Sequence, residues 1–152
     1  LVNSENSFKV SMARQIAAAF TAAGAATETV ELPWEEYTAA LTAGRFDLYY
    51  GEVRLTADWD VSSLLATGGS LNYGGWSDPQ CDQLLEGCRS GGNRETAVRG
   101  LCRYLQSQAP ILPICFKTVS TLYESDVLEG LTPTAAEPFY ELENISINLR
   151  AN

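Results

Sequence analysis

The chain has 152 residues, 45% of them hydrophobic, enough for one compact domain with a core and short for two. Acidic residues outnumber basic ones 19 to 10, a formal charge of −9 that opposes a phosphate backbone, so nucleic acid is not an expected partner. No run of 18 apolar residues occurs and no signal peptide with a basic start opens the chain, so this segment is not expected to insert into a membrane.

The opening "LVNSENSFKVSMARQIAAAFTAAG" predicts a short strand end followed by a helix capped at Asn6 or Ser7. Its apolar positions Val10, Ala13, Ala17, Phe20 and Ala23 recur at three and four residues, and Gly24 supplies the stop. Because Leu1 already falls in a strand pattern, the chain is expected to be a piece of a longer protein. "ATETVELP" alternates with β-branched residues and predicts a strand ending at Pro33. "WEEYTAALTAGR" places Trp34, Tyr37 and Leu41 on one helical face, with Glu35 and Glu36 complementing the dipole and Gly44 closing the helix. "FDLYYGEVRL" predicts a third strand, with Phe46, Leu48 and Tyr50 directed into a core. The order β-α-β-α-β over 1–55 calls for a mostly parallel sheet flanked by helices and joined by right-handed crossovers, an α/β class.

Residues 56–76 are rich in Gly, Ser, Thr and Asn and predict loops around a short helix near 61–66. "SDPQCDQLLEGCRS" restarts a helix, with Ser77 or Asp78 as cap, Pro79 first, and Cys81, Leu84, Leu85 and Cys88 inward. "GGN" breaks it, and "RETAVRGLCRYLQSQAP" predicts a further helix ending before Pro110. "ILPICFKTVSTLYES" reads as a strongly apolar returning strand, completing a block over 77–125. Residues 126–152 read as a crossover and a last strand in "YELENISINL". The whole of 1–152 is expected to be a single lobe, with 56–76 as its ligand-facing loop region.

The four cysteines are 81, 88, 102 and 115. Cys81 and Cys88 on one helix stand roughly 10 Å apart, beyond disulfide reach. All four have apolar neighbours, so core thiols are the commoner outcome, with a bridge elsewhere left open. Without histidine, and at this spacing, no metal is expected, and no cofactor motif is present.

Loops at the C-terminal ends of parallel strands are where open α/β sheets meet ligands. That rule selects Asp58 and Trp59, which follow the third strand and can face a cleft. Tyr50 and Glu52 end the same strand, and Arg54 can pair with Glu52 or Asp58 or receive a ligand carboxylate. Trp76 follows a glycine pair that lets a backbone approach a ligand, although packing beside Pro79 is the commoner use of such a ring. Asp60 precedes the short helix and reads first as a cap. "NIS" at 144–146 matches a glycosylation sequon and reads as plain strand.

Taken in order, "VELPWEEYTAALTAGRFDLYYG", an Asp-aromatic pair, "LNYGGWSDPQCDQLL" and "LQSQAPILPICF" resemble the second lobe of family 5 extracellular solute-binding proteins. The resemblance covers about residues 1–130. It implies a periplasmic-binding-protein-like lobe of type II and a missing first lobe. It also implies a short peptide or other small solute as ligand, delivered to an ABC permease. The protein would then be tethered at the cell surface or periplasmic. In peptide-binding members an Asp beside an aromatic receives the ligand's α-ammonium group, and Asp58 is the matching position, with Trp59 as wall or pivot. A partly desolvated carboxylate and an ammonium form a charge-assisted hydrogen bond that strengthens as closure removes water. Catalysis is not expected, because the chain lacks histidine, a Ser-x-Gly elbow and a phosphate loop. The alternatives are a cytoplasmic regulator's sensor module built on a similar lobe and, further off, a glycosidase using Asp58 with Asp60 or Glu52.

Overall fold

The computed structural model describes residues 1–149 apart from 57, 91, 118, 119, 125, 135 and 136. Its chain divides into two compact units, one of Leu1–Leu55 with Asp60–Pro110, the other of Thr56–Trp59 with Ile111–Asn152.

In the first unit, β1 (Val2–Asn3) leads into helix α1 (Ser7–Ala22), and Asn6 is its cap, accepting from the Lys9 amide at 3.0 Å. β2 (Glu31–Leu32) runs parallel to β1, with Val2 opposite Glu31 and Asn3 opposite Leu32. Helix α2 (Trp34–Thr42) starts after Pro33, which has no capping side chain. The Glu5 carboxylate substitutes from a distance, accepting from the Trp34 amide at 3.1 Å. On the other side of β1, Val2 forms a parallel bridge with Tyr50, whose amide donates to the Leu1 carbonyl at 2.9 Å. The first unit is therefore α/β, with parallel pairing around a central β1 and helices beside it.

The sheet is smaller than the periodicity suggests. Of "ATETVELP" only Glu31–Leu32 is strand, and of "FDLYYGEVRL" only the bridge at Tyr50 is paired. Both segments look to β1 for their hydrogen bonds, and a ladder runs no further than its shorter member. Leu48, assigned inward by alternation, is 56% exposed for the same reason.

Helices α3 (Ser62–Leu65), α4 (Pro79–Arg89) and α5 (Arg94–Gln108) complete the unit. Asp78 caps α4, accepting from the Cys81 amide at 2.7 Å through one oxygen and from the Tyr104 hydroxyl at 2.8 Å through the other. One carboxylate thus starts α4 and ties it to α5. Asn93 caps α5 by accepting from the Thr96 amide, and Ala109, left-handed at φ 48°, ends it before Pro110. The cluster between these helices is Leu65, Cys81, Leu85 and Leu101, with Leu84, Cys88, Tyr104 and Leu105 packed against it. Each fully buried aliphatic there stabilises by about 1.5–3 kcal/mol. A second buried group, Val2, Val10, Tyr37, Ala40 and Leu41, lies on β1, α1 and α2. Gly69 lies so close to α3 that a Cβ there would meet the Ser63 carbonyl at 2.5 Å.

In the second unit, β3 (Leu128–Glu129) and β4 (Ser146–Ile147) pair antiparallel, with a 3-10 turn at Leu142–Asn144 before β4. The last strand of "YELENISINL" is thus two residues long. Among the described residues of 111–125 there is no strand, and Leu112, Phe116 and Leu122 are exposed; 118, 119 and 125 lie outside the described residues. An apolar run becomes a ladder only beside another strand, and no described segment pairs with this one. All four cysteines are free thiols. Cys81 is buried and Cys88 half-buried, but Cys102 and Cys115 are exposed, so apolar neighbours in sequence did not make those two core residues.

Candidate functional site

The segment after Leu55 is where the two units part. Thr56, Asp58 and Trp59 belong to the second unit, while Asp60 belongs to the first. The neighbouring carboxylates of "DWD" therefore do different things. Asp60 accepts from the Ser62 amide at 2.9 Å and from the Ser62 hydroxyl, at the start of α3. Those bonds, the hydroxyl's first, hold its carboxyl below the ordinary range. Val61 is the N-cap of α3 and has no capping side chain, so Asp60 serves the first helical amide from one residue further back.

Asp58 is exposed, and its Oδ1 accepts from the Thr56 hydroxyl. The Trp59 amide donates to the Thr56 carbonyl at 2.9 Å, so Thr56 holds both ends of a tight turn. Trp59 is left-handed at φ 58°, a conformation costing a bulky L-residue about 1–2 kcal/mol. Its ring is 61% exposed and meets the 75% exposed ring of Phe116 edge to face, with centroids 5.3 Å apart and planes at 68°. Sequence reasoning missed Phe116. Its signal is a ring contact between distant segments, and the only local hint was an apolar run ending in an aromatic.

The remaining candidates lie in the first unit. Tyr50 is half-buried; its amide serves β1, and its carbonyl accepts from the Tyr37 hydroxyl at 3.0 Å. Burial, with the Tyr49 and Tyr73 phenols nearby, pushes Tyr37 up to about 12. Glu52 makes a 2.8 Å ion pair with Lys9 of α1. Arg54 is exposed in the stretch beyond, which is neither helix nor strand. Trp76 is held by Asn72, which accepts from its amide at 2.9 Å and donates to its carbonyl at 2.7 Å. The Trp76 indole N–H is buried without a hydrogen bond of good geometry. It faces the Cys81 thiol, where it offsets part of the rise that burial imposes on that group. The arrangement suits packing at the start of α4.

Asp58 and Trp59 are thus brought together on one turn, and Tyr50 and Glu52 on the stretch leaving the parallel pairing. Among the described residues, no group of three Cys, Asp or Glu side chains could hold a metal ion, and no helix is long and apolar enough to cross a membrane. In comparisons with known proteins, no family model matches the chain and no curated protein sequence does.

Proposed function

We propose that this chain is a lobe of a two-lobed solute-binding protein, of the type II periplasmic-binding-protein-like class, that captures a short peptide or similar small solute for an ABC permease. Asp58 receives the ligand's ammonium group, Trp59 forms the adjoining wall, and hinge closure with a partner lobe removes water from the contact without any chemistry. The protein works outside the cytoplasm, tethered to the cell surface or in the periplasm. One observation carries the reading: an exposed carboxylate and an exposed, backbone-strained indole share one turn held at both ends by Thr56. The parallel pairing around β1 and the ordered resemblance of residues 1–130 support the lobe assignment. Titration calorimetry of the full-length protein against di- to pentapeptides tests it. Asp58→Ala is expected to weaken binding at least tenfold, and unchanged affinity ends the amine-recognition claim.

A second reading, the sensor module of a cytoplasmic regulator, is favoured by the exposed free thiols of Cys102 and Cys115, which suit a reducing compartment. A membrane-impermeant maleimide applied to intact cells separates the two. Labelling of Cys102 supports the exported receptor, and labelling only after lysis supports the sensor.

A further inference from the structure

We propose that Phe116 is a specificity-determining residue that, with Trp59, selects ligands carrying an aromatic side chain next to their ammonium group. The inference rests on the reading of Asp58 as ammonium acceptor and adds the chemistry of the neighbouring group.

Three observations support it. First, an edge-to-face pair at 5.3 Å and 68° uses one edge and one face, and rings 61% and 75% exposed keep their remaining faces open to a third ring. Second, the turn is committed to this presentation. Trp59 stays left-handed at φ 58° although a bulky side chain there is unfavourable, and Thr56 bonds both the Asp58 carboxylate and the Trp59 amide. Third, the surroundings choose the sign of the guest. Among the described residues of the second unit, Lys117 is the one basic side chain, against Asp58, Glu124, Asp126, Glu129 and further glutamates. A cation is drawn in and an anion repelled. An amine bearing a phenyl or indole group satisfies both the carboxylate and the ring faces, whereas a small polar amine satisfies only the first.

The experiment is titration calorimetry of the full-length protein with Phe-Gly-Gly, Gly-Gly-Gly and N-acetyl-Phe-Gly-Gly. The native protein is expected to favour Phe-Gly-Gly over Gly-Gly-Gly by about 2- to 13-fold, the range of one aromatic pair. Phe116→Ala is expected to bring the ratio of the two affinities to about one, and Phe116→Tyr to keep the ratio of the native protein. Because Phe116 is 75% exposed, both variants should fold, which circular dichroism verifies. A native protein without the preference, or a preference surviving Phe116→Ala, overturns the aromatic inference. If binding in that case still falls with Asp58→Asn and with N-acetylation, the amine reading stands. If instead Asp58→Asn and N-acetylation change nothing while Phe116→Ala erases the preference, the amine reading fails and Phe116 keeps its role. Absence of binding by every peptide ends both.

Discussion

The two units handle similar apolar material in opposite ways. Every buried hydrophobic side chain among the described residues, from Val2 to Leu101, belongs to the first unit. The second carries Leu112, Phe116, Leu122, Phe139 and Leu149 exposed, held by the two-residue β3–β4 ladder and the turn before it. In the first unit, helices with a 3.6-residue stripe bring their apolar positions to one side and find another helix there, as α4 finds α5. In the second, runs without a helical stripe depend on strand partners. Burial follows from having a neighbour to bury against, and hydropathy alone does not supply one.

The sharpest way to break that comparison is truncation in each unit. Leu85→Ala, at a site 4% exposed inside the helical cluster, is expected to cost about 2–5 kcal/mol in urea unfolding. Leu122→Ala, at a site 95% exposed, is expected to change stability by no more than about 0.5 kcal/mol. Equal losses would mean that the second unit has a core of its own.

A smaller effect isolates the β3–β4 ladder. Gly130 is left-handed at φ 80°, and a Cβ there would meet the Asn144 carbonyl at 2.5 Å. Gly130→Ala is expected to cost at least about 1–2 kcal/mol locally. Hydrogen exchange should show the Asn148 amide, bonded to the Val127 carbonyl at 2.8 Å, losing protection while the Val2 amide keeps it. Equal loss at both amides would show the units unfolding as one.

The smallest expected effect is a pH dependence confined to the first unit. The Asp78 carboxyl is lowered by the Cys81 amide and then the Tyr104 hydroxyl, as Asp60 is by Ser62. A lowered folded pKa means the unfolded state binds protons more readily. The contribution is therefore fully present above the ordinary Asp value of about 3.9 and is lost as pH falls through the lowered values. Urea midpoints followed through α4 and α5 should fall below roughly pH 4, and Asp78→Asn should flatten the fall. A midpoint unchanged down to pH 2.5 contradicts this account.

The helices were legible because their signals are local. Asn6 and Asp78 with Pro79 each sit within three residues of the amide they cap or the turn they open, whereas Asn93 read only as part of a break and caps α5. The strands were legible in order but not in length, since "ATETVELP" carries no record of how much of β1 is available to it. In the candidate site, the adjacency of Asp58 and Trp59 and the place of Asp60 just ahead of a short helix could be read directly. The ion pair of Glu52 with Lys9 joins residues far apart in the sequence and needed the fold. Phe116 needed it too.

The central position of β1 bears on how the chain is made. Val2, fully shielded from solvent, takes one neighbour from Glu31 and the other from Tyr50. Both leave the ribosome after it, and at 5–20 residues per second the wait for Tyr50 is roughly 2–10 s. Glu31 arrives before Tyr50, so α1 and then β2 are the elements of this chain able to cover one side of Val2 while the other side still waits.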